Sequence, residues 1–231
     1  MLLAAGWAGV ISLPRTLDLV KLGKGTKCGK FQGGTLLTVA PAAVVNQLRM
    51  PETHTEIHTV EDKKNELAHI PQLYNLSAEI DIDLLPFKED SKSSFDVSLT
   101  LHDALGVDTD PPFLSIRYEY LYSIKDNAHY GQLTVGNYSC RIPVIYDAEN
   151  CGAGDHTGRS LRVIIDASAV EIFAGYDCVI TSRSYNIPKG KNTAIQPTLD
   201  CKGDDIETCN TVIGTYSSWQ MKPISSDRLT T

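Results

Sequence analysis

The sequence predicts an all-β protein, a β-sandwich of two antiparallel sheets, and three observations predict it. Apolar and polar residues alternate with period two over residues 76–84, where Leu76, Ala78, Ile80, Ile82 and Leu84 interleave with Ser77, Glu79, Asp81 and Asp83. That alternation sends one set of side chains into a core and the other toward water. Residues 161–183 hold three runs rich in β-branched residues, LRVIID, AVEIF and CVITSRS, broken at Ala167-Ser168 and at Gly175-Tyr176-Asp177, which reads as a meander. Only one short segment has helical spacing. Many short strands separated by turn residues specify a sandwich or barrel, not a βαβ protein.

Near the start of the chain, Gly23, Gly25, Gly29, Gly33 and Gly34 lie among lysines and mark an extended loop or hairpin region over about residues 21–35. Residues 41–49 place Val44, Val45 and Leu48 at helical spacing behind Pro41, a residue suited to a first helical turn, and predict a linker helix of about two turns. Strand patterning resumes near Thr53. Phe95, Val97, Leu99 and Leu101 alternate with Asp96, Ser98, Thr100 and His102; Ile116, Tyr118 and Tyr120 alternate with Arg117 and Glu119; Leu133 and Val135 extend the series beyond Gly131. A last strand is expected near residues 212–221, with Trp219 on its apolar side.

Composition narrows the function. In 231 residues there are 21 Lys and Arg against 28 Asp and Glu, a net charge of −7 with no basic run, so neither nucleic acid nor an anionic membrane is an expected partner. No apolar stretch nears the roughly 18 residues a membrane span requires. Six cysteines without a C-x-x-C pair suit disulfides better than structural zinc. Six cysteines allow 15 pairings; Cys201–Cys209 across an acidic loop and Cys140–Cys151 are the expected local bridges, leaving Cys28 and Cys178 paired with each other or free. The sequons Asn75-Leu76-Ser77 and Asn137-Tyr138-Ser139 are candidate glycosylation sites and, with the cysteines, point to secretion. The apolar residues 1–13 lack a basic n-region and a cleavage site, so no signal peptide is recognisable.

Catalytic chemistry is harder to find. Glu79, Asp81 and Asp83 form the densest acidic group, and on a strand i and i+2 carboxylates share a face about 7 Å apart at Cα, so catalytic separation is geometrically possible; a solvated strand face is the expected reading. His54, Glu56 and His58 share a face of a presumptive strand and could ligate a metal, but exposed alternation explains them too. Residues 91–94, Ser-Lys-Ser-Ser, lack the surroundings of a Ser/Lys nucleophile. Tyr118, Tyr120, Tyr122 and Tyr130 offer either sugar-stacking rings or half-buried packing. No H-E-x-x-H, G-x-S-x-G or phosphate-binding glycine loop occurs. The residues alone display no active site, and no metal or cofactor is expected.

Two segments resemble glycoside hydrolase family 32, the invertases, inulinases, levanases and fructosyltransferases. Residues 6–17, GWAGVISLPRTL, are similar to the family's G-W-x-G-x-x-S-L-P-R-x-L segment in the last blade of the catalytic propeller. Residues 161–173, LRVIIDASAVEIF, followed by Thr181-Ser182-Arg183, resemble its L-R-x-x-x-D-x-S-x-x-E-x-F stretch in the C-terminal β-sandwich. The resemblance implies three parts: a remnant of the last propeller blade over 1–40, a linker over 41–52 and a sandwich over 53–231. It implies a secreted parent enzyme that cleaves β-fructofuranosidic bonds of sucrose or fructans with retention, by an Asp nucleophile, a stabilising Asp and a Glu acid/base. The W-M-N-D-P-N-G, R-D-P and E-C motifs that carry those carboxylates do not occur here, and Glu149-Asn150-Cys151 is not the E-C pair. No catalytic residue is therefore carried over, and the chain is expected to be inactive alone, with a support role or, alternatively, a non-catalytic role in binding sugar or protein. Asp166 is expected to cap a turn, and Glu171 and Arg183 to pair across neighbouring strands. The expected partners are the parent's catalytic propeller, a fructan or sucrose, and a second copy of the chain.

Overall fold

The computed structural model describes residues 13–23, 34–58, 70–74, 76–84, 94–104, 112–125, 128–144, 159–166, 168–183, 194–203 and 212–222. Fourteen strands are seen among them. A hairpin comes first, β1 (Arg15–Lys21) against β2 (Thr35–Pro41). Two short 3-10 turns come next, Ala43–Leu48 and Pro51–Thr53. The remaining strands are β3 (Thr55–His58), β4 (Leu73–Tyr74), β5 (Ser77–Leu84), β6 (Phe95–Asp103), β7 (Leu114–Ser123), β8 (Ala128–Val135), β9 (Tyr138–Pro143), β10 (Ser160–Asp166), β11 (Ala169–Ala174), β12 (Cys178–Arg183), β13 (Ala194–Gly203) and β14 (Ile213–Gln220). They form two six-stranded antiparallel sheets, ordered β12-β11-β10-β5-β14-β3 and β4-β13-β6-β7-β8-β9. The all-β sandwich is as the alternation predicts.

The two inner faces make one core. Ala78, Ile80 and Ile82 of β5, Val163 and Ile165 of β10, and Val170 and Ile172 of β11 meet Val97, Leu99 and Leu101 of β6, Ile116 and Tyr118 of β7, and Leu133 of β8. Tyrosines at alternate positions of β7 belong to this core, which decides the question their spacing left open. Tyr118 and Tyr120 are buried, and Tyr120 stacks on Phe95 at 4.9 Å and on His129 at 4.7 Å between ring centroids. Burial pushes the Tyr118 hydroxyl well above its ordinary range. Neither ring can stack on a sugar.

The expected short helix is present over Ala43–Leu48, in 3-10 form, but Pro41 does not start it. Pro41 instead closes β2, and Val45 of the 3-10 turn is buried. A proline with its fixed φ and missing N–H suits a strand end as well as a helix start, so spacing alone did not separate the two.

The cysteines also pair differently. Cys140 of β9 bonds Cys178 of β12, across 38 positions and 6.1 Å between Cα atoms. Each strand lies at the edge of its own sheet, so the bridge joins the sheets along one side. It replaces the expected Cys140–Cys151, because sheet packing, not sequence proximity, brings sulfurs together. Cys201 is also disulfide-bonded. Cys28, Cys151 and Cys209 lie outside the described residues, as does Asn75.

One glycine is required by close packing. A Cβ at Gly131 of β8 would collide with the Tyr118 ring, its Cζ 2.6 Å away. Gly131→Ala should therefore lower stability by about 1–3 kcal/mol, as overpacking does, measured as a reduced urea midpoint with an unchanged slope.

Candidate functional site

The outer face of the first sheet is not the wet surface that the alternation predicts. Residues 13–15 and the segment from Ala43 to Thr53 lie across it. Val45 from the 3-10 turn is buried with Ile164 of β10, Phe173 of β11 and Met221, and Leu13 and Leu48 pack against them. The linker end is sewn to the strand beside it: Met50 N–H donates to Gln220 O at 2.9 Å and Lys222 N–H to Leu48 O at 2.8 Å. Arg49 and Met221 form an isolated antiparallel bridge, which aims the Arg49 side chain over β5.

Under that cover the acidic strand face becomes an ionic seat. Glu79 is 0% exposed. Arg49 donates Nε–H to Glu79 Oε2 at 3.0 Å and Nη2–H to Oε1 at 2.5 Å, a two-pronged grip. Arg162 of β10 puts Nε 2.5 Å from the same Oε1, but its N–H finds no well-aimed acceptor, so this contact is a charge pair and not a directed hydrogen bond. Asp81, two residues on, takes Arg49 Nη2 at 3.2 Å and lies 3.8 Å from Arg162 Nε. Arg162 also donates to Asn46 Oδ1 of the linker at 2.7 Å. The Arg49 guanidinium sits 3.9 Å from the Trp219 ring centroid, and His54 stacks on the same ring at 4.6 Å. Trp219 thus faces outward, opposite Glu79 in the register, and not into the core as expected.

Electrostatics obey this geometry. Hydrogen bonding to Glu79 holds the Arg49 guanidinium above its ordinary value. Burial, helped by the Glu79 charge, pushes the Asp81 carboxyl up to about 7 against the pull of Arg162 and Arg49. Both Glu79 oxygens are engaged and shielded, so neither can attack or protonate a substrate. Glu79 and Asp81 are a joint, not a catalytic dyad.

The second contact point lies one strand further on. Glu171 of β11 accepts the Leu13 backbone N–H at 2.7 Å and Arg15 Nη2–H at 3.2 Å. The same Arg15 nitrogen donates to Thr181 Oγ1 of β12 at 3.0 Å, and the guanidinium lies 5.7 Å from the Phe173 ring centroid. This corrects the expected Glu171–Arg183 pair. The register sets Glu171 opposite Thr181 and Arg183 opposite Ala169, an offset of two residues, and Arg15 closes on Glu171 from above the sheet. Asp166 ends β10 opposite Ala169, where burial raises its carboxyl above the usual range.

His54, Glu56 and His58, weighed above as a metal face, contact one another. His54 precedes β3 and is occupied by Trp219; Glu56 meets His54 Nε2 at 3.6 Å and His58 Nε2 at 2.5 Å. Among the described residues no three His, Cys, Asp or Glu side chains converge on a metal-sized point. Tyr130 lies on the outer face of the second sheet, with the Arg141 guanidinium 3.7 Å from its ring centroid. Residues 91–93 lie outside the described part.

The family model for the C-terminal domain of glycosyl hydrolases family 32 matches residues 45–210, more than half of the chain. The chain belongs to family 32. The matched span is the C-terminal β-sandwich of that family, a module of glycosidases. No curated protein matches the chain significantly. Among solved structures, fructosyltransferase from A. japonicus is similar over 96% of this chain, at 11% identity and a TM-score of 0.45. Sheep galectin-11 is similar over 65% of this chain and 99% of its own, at 8% identity and a TM-score of 0.32. Neither likeness carries weight at those scores, and the assignment rests on the family match. The chain spans 38% of the length of the fructosyltransferase.

In the family 32 sandwich seen here, Arg162, Glu171 and Phe173 all serve attachment. Sequence reasoning missed Arg49 and Arg162; the signal available was an arginine in an otherwise apolar strand and another directly after the 3-10 turn Ala43–Leu48. Arg162→Met, which keeps the stem, should leave Glu79 with one cation and cost about 1–3 kcal/mol, since Arg49 still holds both carboxylate oxygens. Chemical denaturation reads it, and a loss under about 1 kcal/mol would contradict the ionic seat.

Proposed function

We propose that this chain is the bracing module of a family 32 glycosidase, holding the last part of a catalytic propeller in place while that propeller cleaves β-fructofuranosidic bonds of sucrose or fructans. In this reading residues 1–40 belong to the last propeller blade, 41–52 are the linker and 53–231 are the sandwich. The observation that carries it is the clamp between the two segments that resemble the family: Leu13 and Arg15 of the first are held by Glu171 and Thr181 of the second. A binding module with an independent task has no use for such a clamp.

The hairpin supplies a face for the partner. In the β1–β2 register Leu17 and Leu19 lie opposite Val39 and Leu37, so they share one side of the ribbon. Leu17 is 66% exposed, Leu19 74% and Leu37 49%. A cluster of this kind marks a surface meant to be covered, and the propeller is the occupant the reading supplies. Incubated with sucrose, inulin or levan, the purified chain should release no fructose. Turnover above a heat-treated control would end the proposal.

Secretion is part of the same reading. Asn137 occupies the β8–β9 turn beside Gly136, whose φ of +57° favours glycine, and Asn137 and Ser139 of the sequon are exposed. A disulfide between sheet edges fits an oxidising compartment. Expressed through a eukaryotic secretory route, the chain should lose mass on treatment with an N-glycosidase, and Asn137→Gln should remove one glycan's worth of that loss; an unmodified Asn137 would count against passage through that route.

A further inference from the structure

The polar contacts between the β1–β2 hairpin and the sandwich fall on one short platform, β11, its turn and β12. Glu171 of β11 takes the Leu13 N–H and Arg15, Thr181 of β12 takes Arg15, and Arg15 lies over the Phe173 ring. At the far end of the hairpin, Val39 N–H of β2 donates to Tyr176 O in the β11–β12 turn at 2.6 Å. That turn is held from behind: Gly175 N–H donates to Ser160 O at 2.9 Å, and the Tyr176 side chain is buried in the core. Two residues after Tyr176 comes Cys178, the first residue of β12, bonded to Cys140 of β9. β9 and β12 end different sheets, so no strand ladder joins them, and the covalent bond ties the platform to the second sheet. The linker seat uses other strands. Arg49 and Arg162 meet Glu79 of β5, and the Met50 and Lys222 amides bond beside the end of β14.

We propose that the Cys140–Cys178 bond is a redox latch for the β1–β2 hairpin: closed, it holds β11–β12 where Leu13, Arg15 and Val39 are received; open, it frees the hairpin and leaves the linker seated. A border strand with a single ladder neighbour opens more readily than an interior strand, and β12 pairs only with β11. A shift of the turn by about 1 Å is enough to break the Val39 hydrogen bond. Opening is thiol–disulfide exchange with a dithiol. One reagent thiolate attacks a sulfur, a mixed disulfide forms, and the second thiolate resolves it. Two electrons and two protons pass to the protein, leaving two cysteine thiols and the reagent as its own disulfide. Cys178 is buried and Cys140 half-buried, so the attack comes from the β9 side. Seating of the hairpin therefore follows formation of this bond and is complete in an oxidising medium.

The latch acts through contacts within this chain and stands whether or not a propeller covers the hairpin's apolar side. Amide hydrogen exchange of the whole chain tests it, with the linker seat as the internal control. In the Cys140→Ala, Cys178→Ala double variant, exchange at Val39 and along β1–β2 should speed up by about tenfold or more, while the Met50 and Lys222 amides change by less than about twofold. Hairpin amides that stay as slow as in the unaltered chain would overturn the proposal. So would hairpin and linker amides that accelerate by the same factor, since the bond would then support the fold as a whole. If the double variant fails to fold, the unaltered chain is partly reduced with a dithiol and its free thiols are alkylated and mapped. Molecules opened at Cys140 and Cys178 alone must then show the same split between hairpin and linker.

Discussion

A carboxylate with no access to water sets the terms for the first sheet. Glu79 sits on the face that should be wet, and burying an ionised carboxyl without partners costs several kcal/mol. The fold meets this by bringing cations from two places that sequence keeps far apart, Arg49 at the end of the linker and Arg162 in β10. Arg49 reaches Glu79 only if the linker runs along β14, and the Arg49–Met221 bridge with its flanking backbone hydrogen bonds enforces that course. Linker path and sheet charge are thus one constraint seen from two sides.

The second sheet shows what the same residue types do without a cover. Asp96 meets Arg117 at 2.5 Å, and Arg117 meets Glu119 at 3.1 Å, on a face where Arg117 keeps about half of its side chain in water. Exposed pairs of this kind contribute about 0–1 kcal/mol. Alternation along β6 and β5 looks alike in sequence, yet one set of acids decorates a surface and the other anchors a neighbouring segment. The difference lies in the segment that crosses above the sheet.

That contrast explains how much could be read beforehand. Alternation locates β5 and β6 to within a residue or two and the middle of β7, because the core side of a strand is written in its own residues. The meander from β10 to β12 is equally legible from its turn chemistry. Glu79 was not legible as a buried group, since period two says that a face exists and nothing about what covers it. Trp219 was misplaced for the same reason: a large aromatic on an outer face looks like a core residue until Arg49 and His54 are seen against it. The Cys140–Cys178 bridge depends on two sheet edges meeting, a fact held in no local window. Pro41 fits two local structures, and tertiary contact chose between them.

The stretch that marks this chain as a family 32 sandwich therefore has a physical meaning that chemistry at a sugar does not supply. Its apolar members, Val163, Ile165, Val170 and Ile172, fill the core, as any sandwich requires. Three members on the other face meet the incoming chain: Arg162 holds Asn46 and shares Glu79 with Arg49, Glu171 holds Leu13 and Arg15, and Phe173 is buried with Val45. A sheet that only had to be soluble could carry any polar residues on this side, and their identities would be free. Here an acidic residue at 162 would face buried Glu79, and a basic one at 171 would face Arg15. The pattern on the outer face is thus fixed by attachment as firmly as the inner face is fixed by packing.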